Sequence, residues 1–120
     1  MTIAAVRREG APVTGESLAE RAERLAADCA TRAAAHDSDE SFVAENFEQL
    51  KAAGLMKAAV PVELGGEGAE VRAMADVVRR LAHGCGSTAL AFSMHTHQVV
   101  IPAWRWRHQK IAAVEPLLKR

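Results

Sequence analysis

The sequence predicts an all-α fold of about five helices, on three observations. Apolar residues return at steps of three and four through most of the chain, the period of a helix face and not the alternation of a strand. Glycines, prolines and short polar clusters cut these periodic runs into helix-sized pieces. No two alternating runs face each other across a turn, so a strand pair has no support.

Residues 1–15 lack periodicity and are punctuated by Gly10, Pro12 and Gly15, which reads as a loose leader ahead of a domain over 16–120. Ser17 and Glu20 have the spacing of a capping box, in which each side chain satisfies a free amide at a helix start. Behind them Leu18, Ala22, Leu25, Cys29 and Ala33 form one apolar stripe. Glu20 with Arg24, and Asp28 with Arg32, are spaced to support the exposed face. The polar run from His36 to Ser41 ends this helix. A second, shorter one passes through Phe47 and Leu50. Gly54 closes it, since glycine adopts the left-handed conformation without steric cost and lets Leu55 fold back onto Leu50. Leu55 to Val60, an apolar run bounded by Gly54 and Pro61, is expected to be extended.

Pro61 to Gly68 is a loop with three glycines in its last four residues. A phosphate loop needs a strand before it, a helix start behind it and a lysine or a fuller glycine pattern. Here Glu63, Glu67 and Glu70 flank the glycines and repel an anion, so the segment reads as a plain connection. Val71, Met74, Val77, Val78 and Leu81 then mark a third helix that Gly84 can end. Ser87 is the expected N-cap of a fourth helix, which holds His95 and His97 and runs to Ile101, where Pro102 stops or kinks it. A last helical stretch carries Ile111, Val114, Leu117 and Leu118, with Pro116 opening a new turn.

Composition narrows the function classes. Fifteen basic residues balance fifteen acidic ones, so no net field draws the chain to nucleic acid or to an anionic membrane. The five aromatics are too scattered for a base-stacking surface. The longest apolar segment is interrupted by Ser93, His95, Thr96, His97 and Gln98, so nothing is expected to span a bilayer. The start MTIAAVRREG places Arg7-Arg8 after a short apolar run, the wrong order for a secretory signal. A cytoplasmic protein with Cys29 and Cys85 reduced and buried follows from these points.

The fourth helix carries the unusual chemistry. Helix residues two apart lie about 200° around the axis, so His95 and His97 point to opposite sides and do not share a metal ion. His97 shares its side with Leu90, Met94 and Ile101, and His95 shares the other with Phe92 and Val99. Both sides are apolar, which marks a helix covered on two flanks. A buried imidazole needs partners for its ring nitrogens. The pattern therefore means two polar contacts, or one contact and one cavity; two satisfied core histidines are the plainer alternative. Ser87, Ser93 and Cys85 are nucleophile types, but no G-x-S-x-G elbow accompanies them.

The order of segments is more specific than any one of them. Phe42-Val43-Ala44-Glu45-Asn46-Phe47 leads to Leu50-Lys51-Ala52-Ala53-Gly54-Leu55. Then come Val60-Pro61-Val62-Glu63-Leu64-Gly65-Gly66-Glu67-Gly68 and Leu81-Ala82-His83-Gly84-Cys85-Gly86-Ser87-Thr88-Ala89-Leu90. This series resembles the N-terminal helical domain of the acyl-CoA dehydrogenase family of flavoenzymes, over residues 17–120.

The resemblance implies a larger enzyme, in which a middle β domain and a C-terminal helical bundle are absent from this chain. It implies FAD, or FMN as the alternative, bound mainly by that missing sequence, and a homo-oligomer at full length. The substrate implied is an acyl-CoA or another small organic molecule, oxidised at a CH–CH group if an acyl thioester. No catalytic residue is assigned. The helix after "GCGSTAL" lines the substrate cavity in the family, so His95, with Phe92, Thr96 and Val99 on its side, is expected to face that cavity. His97 is then expected to pack inward among Leu90 and Met94. A branch of the fold that uses reduced flavin and oxygen is similar in carrying a histidine on this helix, where an imidazole can hydrogen-bond an oxygenated intermediate or a substrate hydroxyl. The reading from another class is a stand-alone helical interaction module, with Trp104, Trp106, Leu117 and Leu118 as its surface.

Overall fold

The computed structural model describes residues 15–119, so the expected leader lies outside the described residues except for Gly15. Five α-helices are present: α1 (Leu18–Asp39), α2 (Ala44–Ala52), α3 (Val71–Gly84), α4 (Gly86–Gln109) and α5 (Glu115–Leu118). Short 3₁₀ turns lie at Leu55–Lys57, Val62–Leu64 and Ala112–Val114. α3 packs against α1 on one side and α4 on the other, and α5 folds back onto the end of α4. Among the described residues no strand forms, and no helix is long and apolar enough to cross a membrane.

α1 begins as its sequence requires. The Ser17 hydroxyl accepts from the Glu20 amide at 3.1 Å, and the Glu20 carboxylate accepts from the Ser17 amide at 2.9 Å. Its stripe of Ala22, Leu25 and Cys29 is buried, with Leu18 and Ala33 at the margins. The helix runs through the polar cluster to Asp39, because His36 is bonded into the next element, with Nδ1 2.6 Å from the Ser41 hydroxyl and Nε2 3.0 Å from Glu45.

Three expectations about boundaries are corrected. Leu55 to Val60 is not extended but coils through a 3₁₀ turn, because Leu55, Ala58, Ala59 and Val60 all enter the core and successive i+3 bonds satisfy the backbone there. α4 starts at Gly86, capped by Cys85 in extended conformation, and Ser87 makes no side-chain cap. Pro102 does not stop α4, which continues to Gln109 and ends at Lys110 with φ 57°. An interior proline costs on the order of 3 kcal/mol. The offset is tertiary: Ala103, just past the proline, is buried with Val60 and Leu118, and Trp106 packs on the same cluster.

The Pro61–Gly68 loop is a latch. Arg21, on the buried face of α1, holds both carboxylate oxygens of Glu67 at 2.7 and 2.8 Å and donates to the Ala53 carbonyl at 3.2 Å. The hydrogen bonds to Glu67 are the main reason the guanidinium's pKa is raised. Gly68 and Ala69 donate to the carbonyls of Val60 and Ala58 at 2.8 Å each, pinning the loop onto the 3₁₀ turn. A Cβ on Gly66 would overlap the Val60 carbonyl, so only glycine fits there. Gly84 is restricted in the same way by the Ala26 carbonyl of α1, where α1 and α3 meet.

A second buried network joins α1, α2 and the start of α4. Asn46, fully buried, accepts from Arg32 Nε and donates to Thr88 Oγ1, each at 2.8 Å, and Thr88 in turn donates to Cys85 Sγ at 3.2 Å. Cys29 lies beside Cys85 and Val43, and both thiols are free. Burial pushes the Cys29 pKa up to about 11.

Two outcomes follow. Arg21→Ala should lower stability by about 2 kcal/mol in urea denaturation, below the cost of breaking a fully buried pair because Glu67 is 41% exposed, and Glu67→Gln should cost about half as much. Equal, near-zero shifts for both would show that the latch carries nothing. Cys29 should resist alkylation at pH 8 in the native protein and react on unfolding. Because its folded pKa lies above the unfolded thiol value, its contribution to stability is intact below about pH 9 and is lost as pH rises toward about 11. Native-state labelling of Cys29 at pH 8 would contradict this.

Candidate functional site

α4 is 24 residues long, about 36 Å of helix, and its two flanks differ in what covers them. On the inner flank Phe92 is fully buried in the main core with Leu25, Leu50 and Val77. Thr96 is buried and donates to the Phe92 carbonyl at 2.9 Å. His95 lies 3.0 Å by Nε2 from the Met56 carbonyl, which only accepts, so Nε2 carries the proton. Its ring also stacks on Phe92 with centroids 6.2 Å apart. Val99 is partly buried between the main core and the α5 cluster. Beside His95 and Val99 a hollow of about 440 Å³ opens toward Lys51, Lys57, Gln98 and Leu117.

The outer flank is bare. Leu90, Met94, Ile101 and Trp104 are 68, 58, 51 and 49% exposed, values that belong to a surface and not to a core. With His97 they are spaced four, three, four and three residues apart, one continuous stripe along the helix. His97 is exposed in the middle of it, and among the described residues no hydrogen bond or ion pair holds its ring. Between this stripe and α3 runs a narrow groove of about 200 Å³, lined by Val71, Ala75, Val78, Ser93, His97 and Val100.

The expectation that His97 packs inward among Leu90 and Met94 is therefore corrected: all three lie on the open flank. The inner flank carries the small residues Ala89, Thr96 and Ala103, which let α4 approach the rest of the domain closely, while the bulky Leu90, Met94 and Ile101 stay outside. That size contrast was present in the sequence. Val71, assigned to the apolar face of α3, is likewise 57% exposed at the mouth of a cavity. Of the four residues expected to line a cavity, Phe92 is enclosed by the domain itself, Thr96, though buried, borders the 200 Å³ groove, and His95 and Val99 border the 440 Å³ hollow. The opposite directions of His95 and His97 are as the helical geometry required. Among the described residues no group of three His, Cys, Asp or Glu side chains gathers to hold a metal.

Comparison with known proteins gives this helix a family context. Residues 14–118 match the N-terminal domain of acyl-CoA dehydrogenases. The chain is 37% identical over 86 residues to an L-evernosamine nitrososynthase of a Micromonospora species, covering 71% of this chain and 20% of that protein. It is 32% identical over 95 residues to an amino sugar nitrososynthase of Streptomyces rubradiris, covering 78% of this chain and 22% of that protein. The chain thus spans about a fifth of the length of these relatives. No solved structure gives a match. With nearly all of its described residues inside the matched segment, the chain belongs to the acyl-CoA dehydrogenase family, whose N-terminal domain it forms.

Proposed function

We propose that the chain forms the N-terminal wall of the active site in a longer, flavin-dependent enzyme that oxygenates the nitrogen of an amino sugar, with the outer flank of α4 as that wall. The observation that carries the reading is the unpartnered imidazole of His97 set in a half-exposed apolar stripe. Both relatives named above are amino sugar nitrososynthases, which supports the choice of reaction. His95 is committed to the Met56 carbonyl and Phe92 to the core, so Leu90, Ser93, Met94 and His97 are the wall residues in this proposal.

The flank fits one part of a flavin and not the rest. Leu90, Met94 and Ile101 offer apolar surface for a flat ring, but no lysine or arginine lies between Gly86 and Trp104 to meet phosphate charge. FAD or FMN is accordingly held mainly outside this chain. The chemistry supplied by bound reduced flavin is activation of dioxygen, so that one oxygen atom reaches the amine nitrogen and the other leaves as water. The apolar side chains exclude water from the reacting face. A ring nitrogen of His97 accepts the proton that the amine nitrogen loses as its bond to oxygen forms. Removing solvent around the imidazole strengthens that hydrogen bond.

In the full-length protein, supplying reduced flavin, isotopically heavy dioxygen and an amino sugar should place one labelled oxygen on the substrate nitrogen, read by mass spectrometry. His97→Ala should slow this by about 100-fold and leave the urea midpoint unchanged, whereas His95→Ala should lower the midpoint. Absence of labelled product, with anaerobic bleaching of the flavin by an acyl-CoA, would replace the proposal by acyl-thioester dehydrogenation. A His97→Ala enzyme with full activity would remove His97 from the wall.

A further inference from the structure

We infer that the notch between the start of α3 and the last turns of α4 is a binding site for an oxyanion of the phosphate class carried on a flat or apolar body. The notch encloses about 280 Å³, and Arg72, Arg107 and His108 stand around it with the indole of Trp104; Val71 and Ala103 supply apolar surface. Two of its cations lack the close carboxylate that most of the described arginines hold, as does Arg105 outside the notch. Arg21, Arg24, Arg32, Arg79 and Arg80 each hold a carboxylate oxygen at 2.6–2.8 Å. Arg72 has no ion-pair partner among the described residues, and Arg107 has only Glu70 at 3.7 Å, beyond hydrogen-bond distance. Both arginines line one concavity without a close carboxylate, and guanidinium donors of this kind select planar or tetrahedral oxyanions.

The acidic loop nearby does not cancel this. Glu67 is neutralised by Arg21, and Glu70, 75% exposed, is the one carboxylate that borders the notch. Trp104 is half exposed and its ring tilts against His108 at 5.2 Å between centroids, which leaves indole surface for the body of the ligand. A free inorganic anion would use the arginines alone, and an ester with a ring would use the indole as well. Trp104 also ends the stripe on α4, so the notch adjoins the proposed wall. Its existence is independent of that proposal and needs no flavin to test.

The test is a titration of the 120-residue chain with phenyl phosphate and with inorganic phosphate at fixed ionic strength, followed by amide NMR shifts over residues 69–73 and 103–108. Saturable binding of both is expected, with phenyl phosphate tighter by about fivefold. Arg72→Ala, at an exposed position that leaves the fold intact, should weaken both by about tenfold. Trp104→Leu should erase the advantage of the phenyl ester, and Glu70→Gln should tighten both. Arg79→Ala, two turns along α3 and already paired with Asp76, should change neither. Shifts that follow ionic strength without saturating, or binding that is equal in wild type and Arg72→Ala, would overturn the inference. Saturable binding of inorganic phosphate with no gain from the ring would overturn its aromatic part.

Discussion

The hydrogen bond between His95 Nε2 and the Met56 carbonyl fixes how α4 is rotated about its own axis, and the division of the molecule into a closed and an open flank depends on that rotation. Phe92, one turn earlier on the same side, fills the core beneath it. Turning the helix by half a revolution would place His97 in the core without a partner and expose Phe92. Leaving an imidazole unsatisfied costs about 1–3 kcal/mol, and losing the burial of a phenyl ring costs about as much again. Those terms act together, so only one rotation is stable, and the open flank follows from it.

That bond requires the Met56 carbonyl to be held in place, which explains much of the rest of the fold. Met56 sits in a 3₁₀ turn of three residues, too short to be stable alone. Gly54 enters it with φ 81°, and the Pro61–Gly68 loop closes over it through the bonds from Gly68 and Ala69. Arg21 then ties that loop to α1 through Glu67 and to the end of α2 through Ala53. The glycine-rich segment is thus a brace for an acceptor. Its carboxylate is used to bind an internal arginine, which is why an anion-binding reading of the loop has no physical basis.

Much of this was legible in the sequence, and the failures have identifiable causes. The capping box, the stripe of α1, the closing Gly54 and the opposed histidines were readable because each rests on local geometry. The extended reading of Leu55–Val60 failed because a short apolar run has no period to distinguish a buried 3₁₀ turn from a strand. Pro102 was read as a stop or a kink because the proline cost is local; the helix continues past it because the packing of Ala103 against Val60 and Leu118 that offsets that cost is not local. The latch between Arg21 and Glu67 spans 46 residues and no spacing rule reaches that far. The sides of α4 were ambiguous because both are apolar; residue size, with alanine and threonine inside and leucine, methionine and isoleucine outside, carried the missing information.

In the proposed reading, the domain's chemistry lies on a surface that it does not cover itself. A stripe of four large apolar side chains with an exposed imidazole at its centre is costly to leave in water, the kind of patch that marks an interaction surface. The most direct measurement is the reactivity of the two histidines toward diethylpyrocarbonate, residue by residue, in the 120-residue chain and in the full-length protein. The account requires His95 to be protected in both, and His97 to react readily in the short chain and to become protected in the long one. A His95 that reacts as fast as His97, or a His97 equally reactive in both proteins, would contradict it.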